Sequence, residues 1–128
     1  MNNILNILSN TPLFGGLPED QLEKIGRIAK DRFYNRRETI FREGDEGIGF
    51  YIIAVGTVKI SKTSSDGKEQ ILHIFGPGEP FGEVPVFSGQ PFPADAEAIA
   101  ETHLLFFPKT AFVDLIGLVT LPPPFNPG

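Results

Sequence analysis

The chain has no cysteine, which excludes a disulfide, a thiolate metal site and a Cys-ligated iron–sulfur cluster. It has no tryptophan, and no arginine after Arg42. Residues 69–108 contain neither lysine nor arginine but six carboxylates: Glu69, Glu79, Glu83, Asp95, Glu97 and Glu101. The first 68 residues are nearly balanced, with ten basic against nine acidic side chains, so the net charge of −5 sits in the second half. An acidic chain without a basic stripe is poorly suited to contact nucleic acid itself. No apolar run approaches the roughly 20 residues that span a bilayer. The start, Met1-Asn2-Asn3-Ile4-Leu5, lacks the basic region and small-residue cleavage site of a signal peptide. No membrane partner is expected, and the expected location is cytoplasmic.

What is present suits a single β-rich domain. A chain of 128 residues can bury one core. Twelve phenylalanines supply the interior, while 14 glycines and 12 prolines supply turns. Asn2–Leu8 has the pattern of a short amphipathic helix that Pro12 stops. Pro18 suits a first helical position, Glu19 and Asp20 suit the helix dipole, and Leu22, Ile25, Ile28 and Ala29 share a face, predicting a helix over about 18–30. From Phe33 the period shortens. Strands are expected at Thr39–Phe41, Phe50–Val55, Thr57–Lys62, Gln70–Phe75, Ala96–Ala100 and Leu104–Phe107. Asp66-Gly67 predicts a type I′ hairpin turn joining Thr57–Lys62 to Gln70–Phe75, with Val58 and Ile60 inward and Lys59 and Ser61 toward water. Pro108 opens a last helix whose face carries Ala111, Phe112, Leu115, Ile116 and Val119. Such short, regularly spaced strands predict a mainly β fold, an antiparallel jelly roll (a double-stranded β-helix, or β-roll) flanked by short α-helices. Residues 1–118 form the expected domain. Residues 119–128, with Pro122-Pro123-Pro124, form an expected extended tail.

Catalytic and metal chemistry find little support. His73 and His103 are the two histidines, far apart in sequence and outside any His-x-His pair. No Ser/His/Asp set or carboxylate pair announces catalysis, so no enzyme activity, catalytic residue or metal site is expected.

One constellation is specific. Gly44-Asp45, Gly47, the apolar run Phe50-Tyr51-Ile52-Ile53 and Gly56 are followed by Phe75-Gly76-Pro77-Gly78-Glu79 and by Phe81-Gly82-Glu83. In this order the chain resembles the cyclic-nucleotide-binding sensor domain of Crp/Fnr-type bacterial transcription regulators over roughly residues 10–118. The resemblance implies a β-roll with a phosphate-binding cassette. It implies a ligand site made from Phe81, Gly82, Glu83 and Val84 and, ten residues beyond Glu83, from Pro93 and Ala94. In nucleotide-binding members the glutamate accepts the ribose 2′-hydroxyl, helix amides face the cyclic phosphate, and an arginine followed by serine or threonine completes the site. Here Pro93 stands for the arginine and Ala94 for the hydroxyl residue, with Asp95 adding an anion.

The resemblance therefore implies an effector-sensing domain that is not a tight cyclic-AMP binder. Its alternative is a roll that binds no small molecule and serves protein interaction. Glu83 is either a ribose acceptor or a carboxylate bonded to the cassette's own backbone. Pro91-Phe92-Pro93 either shapes a pocket for an uncharged or planar ligand or fills the nucleotide's space. The effector classes that the family brings are cyclic nucleotides and haem, the latter with His73 or His103 as axial ligand. Complete members continue into a dimer-forming helix and a helix-turn-helix domain that contacts DNA. This chain stops where that helix would begin, so it is expected to be an excised sensory domain or a naturally truncated relative, monomeric or weakly dimeric.

Overall fold

The structure, a computed structural model, describes residues 3–119. Helices α1 (Asn3–Asn10) and α2 (Glu19–Ile28) lead into eight strands. These are β1 (Lys30–Tyr34), β2 (Thr39–Phe41), β3 (Gly49–Val55), β4 (Val58–Thr63), β5 (Glu69–Phe75), β6 (Pro80–Phe81), β7 (Asp95–Ala98) and β8 (Thr102–Pro108). Helix α3 (Glu83–Ser88) interrupts the strands between β6 and β7, and α4 (Lys109–Val119) follows β8. Two four-stranded antiparallel sheets, ordered β1-β8-β3-β6 and β2-β7-β4-β5, make the roll. The fold is mainly β with short flanking helices, as the spacing of strands and turns implies.

The phenylalanines separate into two layers because β3 and β8 are buried on both faces. Phe50 pairs with Phe107, and on the helical side these rings meet Phe112 and Phe14. Tyr51 pairs with Phe106 and points between the sheets, where its ring stacks on Phe81. A continuous apolar run with β-branched residues suits such a strand, which offers no face to water. The β3–β4 turn requires glycine. Gly56 has φ +104°, and a Cβ there would lie 2.4 Å from the Thr102 hydroxyl and 2.6 Å from the Glu101 carbonyl.

Several expectations are corrected. The second helix ends at Ile28, because Ala29 is extended (ψ 140°) and Lys30 already begins β1. Strand β1 was not legible: Lys-Asp-Arg-Phe-Tyr has no inward alternation and is largely exposed, held by antiparallel pairing with β8. The β4–β5 turn is not type I′. Gly67 has positive φ but Asp66 does not. Gly67 N–H donates to the Ser64 carbonyl and Ser64 N–H to the Lys68 carbonyl, enclosing a three-residue loop with glycine in the left-handed position. Ser61 does not face water. It is buried beside the pair Lys59–Glu69, whose charged atoms are 2.8 Å apart. On α4, Phe112 is buried and Leu115 and Ile116 pack against the core. The expected tail lies outside the described residues apart from Val119, the last residue of α4.

Candidate functional site

The site is built on a sharp backbone reversal. β6 ends at Phe81, and Gly82 turns the chain into α3 with φ +83°, where a Cβ would press on the Phe92 ring at 3.3 Å. Glu83 opens α3 and Gly89, again left-handed, closes it. Pro85 at the third helical position contributes no N–H, so the first turn presents fewer free amides than usual.

Backbone bonds then bring the chain back across the roll. Gly44 N–H donates to the Phe92 carbonyl at 2.8 Å, and Phe92 N–H donates to the Asp45 carbonyl at 2.9 Å. The Asp95 carboxylate accepts Glu43 N–H at 2.7 Å, so it serves the β2–β3 loop. With both sides of residue 92 pinned, the Phe92 ring enters the interior and lies flat on Phe41, centroids 3.7 Å apart and planes at 6°. The Pro-Phe-Pro segment thus fills space with Phe92 and leaves Pro93 exposed at the rim.

A pocket of about 230 Å³ remains beside it. All six expected site residues line it: Phe81, Gly82, Glu83, Val84, Pro93 and Ala94. Phe81 and Ala94 are buried, Glu83 is half-buried, and Val84 stands at the exposed rim. The remaining wall comes from Phe41, Ile60, Phe75, Pro80, Pro85 and Phe92. No motif marks Phe41 or Ile60, and Phe75 is marked only as the start of the turn before the cassette. Their signal is an inward position on three strands that only the tertiary fold brings together.

Glu83 is the one charged residue lining this pocket. Among the described residues its side chain has no hydrogen-bond partner, which removes the expectation of a carboxylate bonded to the cassette's own backbone. The basic side chains nearby are engaged elsewhere. Lys59 meets Glu69 at 2.8 Å and Glu97 at 3.5 Å. The Glu69 hydrogen bond, outweighing the cost of desolvation, raises the Lys59 ammonium above its ordinary value. Lys62 lies 3.9 Å from Glu43 and lines an adjoining groove that shares Val84, Pro85, Phe92 and Pro93 with the pocket. Tyr51, whose ring stacks on Phe81, has its phenol pushed up to about 12 by burial first and then by Tyr34, so it stays neutral.

The histidines lie apart. His73 is on the exposed edge strand β5 against Phe75, while His103 on β8 bonds the Asp31 carboxylate at 2.7 Å and stacks on Phe33. Among the described residues no group of three or more His, Cys, Asp or Glu could hold a metal ion. No helix among them is long and apolar enough to cross a membrane.

Comparison with known proteins agrees with this geometry. The Cyclic AMP receptor protein of Thermus thermophilus is 32% identical over 114 residues, covering 89% of this chain and 53% of that protein. The N-terminal domain of a transcriptional regulator from Streptomyces coelicolor superposes with a TM-score of 0.81 at 31% identity, covering 88% of this chain and 81% of that one. The regulatory domain of Toxoplasma gondii PKA, solved with cAMP, superposes with a TM-score of 0.81 at 26% identity, covering 88% and 43%. The chain spans about half the length of the bacterial regulators it matches and 11–16% of the cGMP-dependent protein kinases it also matches. The family model described as Cyclic nucleotide-binding domain matches residues 31–117, and the chain belongs to that family.

Proposed function

We propose that this chain is the effector-sensing domain of a Crp-like transcription regulator and that its pocket does not hold a cyclic phosphate tightly. One observation carries the reading: the pocket lined by the six cassette residues contains a carboxylate and no lysine or arginine. Pro93 occupies the position of the phosphate-pairing arginine, Ala94 that of the hydroxyl residue, and Pro85 removes an amide from the cassette helix. Loss of a charged partner in a partly buried site costs about 2–5 kcal/mol, or roughly 30- to several-thousand-fold in affinity.

The domain binds rather than catalyses. DNA contact belongs to a further part of the regulator, because this chain is acidic and no helix-turn-helix unit occurs among the described residues. The setting is the cytoplasm, and the chain by itself is a monomer or weak dimer.

Titration calorimetry with cyclic AMP tests the reading. The expected dissociation constant is about millimolar or weaker, and binding at micromolar concentration would sink it. The double substitution Pro93→Arg with Ala94→Ser should tighten binding by at least about tenfold.

A second reading, a protein-interaction module, draws on one feature. Strand β5 is a sheet edge and exposes Ile71, Leu72 and Ile74, an uncharged apolar stretch of the kind that pairs with another chain.

A further inference from the structure

The pocket that refuses a phosphate has a chemistry of its own. Its lining includes Phe41 and Phe92, whose rings stack on each other at 3.7 Å, and Phe81, whose ring stacks on Phe75. Across from these apolar groups the charge comes from Glu83, which has no hydrogen-bond partner among the described residues. An aromatic lining and an unpaired carboxylate together suit an organic cation: the rings bury its apolar body and the carboxylate pairs with its charged nitrogen. An anion meets the opposite field, and Asp95 and Glu43 beside the rim do nothing to reverse it.

Size narrows the class further. A volume of about 230 Å³ lies below the roughly 300–1,000 Å³ of drug-sized ligand sites. It corresponds to the liquid volume of roughly eight waters.

We infer that this pocket binds a small organic ammonium ion, its apolar body against Phe41, Phe81 and Phe92 and its charged nitrogen on Glu83. The inference rests on the reading that the site does not take a cyclic phosphate. Lys62, in the adjoining groove, makes no ion pair with Glu83 and faces Glu43 at 3.9 Å.

The test uses the full chain and three probes of nearly equal shape: 2-phenylethylammonium, the neutral 2-phenylethanol and the anionic 3-phenylpropionate, with cyclic AMP measured in parallel. Calorimetry and thermal shift should show the ammonium binding at least about tenfold tighter than the alcohol, with the carboxylate weakest. Glu83→Gln should bring the ammonium down to the level of the alcohol. That side chain makes no hydrogen bond in the fold, so an unchanged melting temperature of the free variant verifies that only the site has changed. Pro93→Arg, a rim substitution on the exposed side, should weaken the ammonium and strengthen cyclic AMP together.

Equal binding of the alcohol and the ammonium, indifference to Glu83→Gln, or no binding of any of the three at about 10 mM would overturn the inference. Micromolar cyclic AMP binding would instead overturn the reading beneath it. Weak cyclic AMP with no ammonium binding removes the cation alone and leaves that reading standing.

Discussion

Removing the Phe112 ring is the sharpest test of how the last helix is held. Phe112 is 6% exposed. Its ring meets Phe50 edge-on at 5.1 Å, Phe87 at 5.6 Å and Phe14 at 5.8 Å. Truncating a buried phenylalanine to alanine costs about 3–5 kcal/mol, the spread reflecting how far the surroundings close over the cavity. Here Phe87 is 45% exposed and free to move inward, which puts Phe112→Ala near the lower end, about 3 kcal/mol. Phe112→Asp should cost more, because an unpaired carboxylate replaces the ring. Urea unfolding followed by circular dichroism reads the effect. With a slope of about 1–3 kcal/mol per molar, the midpoint should fall by at least about 1 M with the slope unchanged. Val113→Ala is the control: the neighbouring Val113 is 47% exposed, and its truncation should shift stability by under about 1 kcal/mol. If the two alanine variants behave alike, α4 is not docked on the roll in solution. Sedimentation would then be expected to show that Phe112 serves an interface between copies.

Three further outcomes follow from local features. Arg37 has φ +78° while its N–H donates to the Ala98 carbonyl at 2.7 Å, so Arg37→Gly should relieve left-handed strain and stabilise by up to about 1 kcal/mol, read as a rise in melting temperature; a fall would show that the arginine side chain outweighs its backbone cost. The hydrogen bond from Lys59 holds the Glu69 carboxyl below its ordinary range, so its contribution is complete above about pH 4.3 and is lost as pH falls through the lower folded value. The same bond raises Lys59, whose contribution is complete below about pH 10.4 and is lost as pH rises through the higher folded value. Glu69→Gln should therefore flatten the acid limb of a melting-temperature profile, and an unchanged limb would refute the assignment. A chain with net charge −5 should not retard duplex DNA at low salt, and a salt-sensitive gel shift would contradict that.

Sequence and structure part company where information is non-local. The run Phe50–Ile53 announces a doubly covered strand because four bulky apolar residues between glycines have no amphipathic alternative. Gly44, Gly56 and Gly82 announce turns, and each has positive φ. β1 announces nothing, since its charged residues gain strand geometry only by pairing with β8, some 70 residues away in the chain. The hairpin turn shows the finer limit: Asp-Gly identifies the turn, but the Ser64–Lys68 bonds decide its type. The six cassette positions, in two short stretches at 81–84 and 93–94, line one pocket. The rest of the apolar wall was less legible, because Phe41 joins Ile60 and Phe75 from a strand that no local pattern links to their hairpin.

The same division separates what shapes the site from what would select its ligand. What shapes the cassette is backbone: the left-handed Gly82, the amide–carbonyl pairs joining residues 44 and 45 to Phe92, and the Asp95 carboxylate on Glu43 N–H. None of these bonds involves the side chains of Glu83 or Pro93. Phe92 closes the interior by stacking on Phe41, so the roll needs no bound nucleotide to fill its core. The site's charge can then alter with little cost to the frame, because Pro93 lies at an exposed rim and Glu83 has no structural bond among the described residues. Fold membership and ligand choice are carried by different atoms: backbone bonds shape the site, and the side chains lining the pocket set its chemistry.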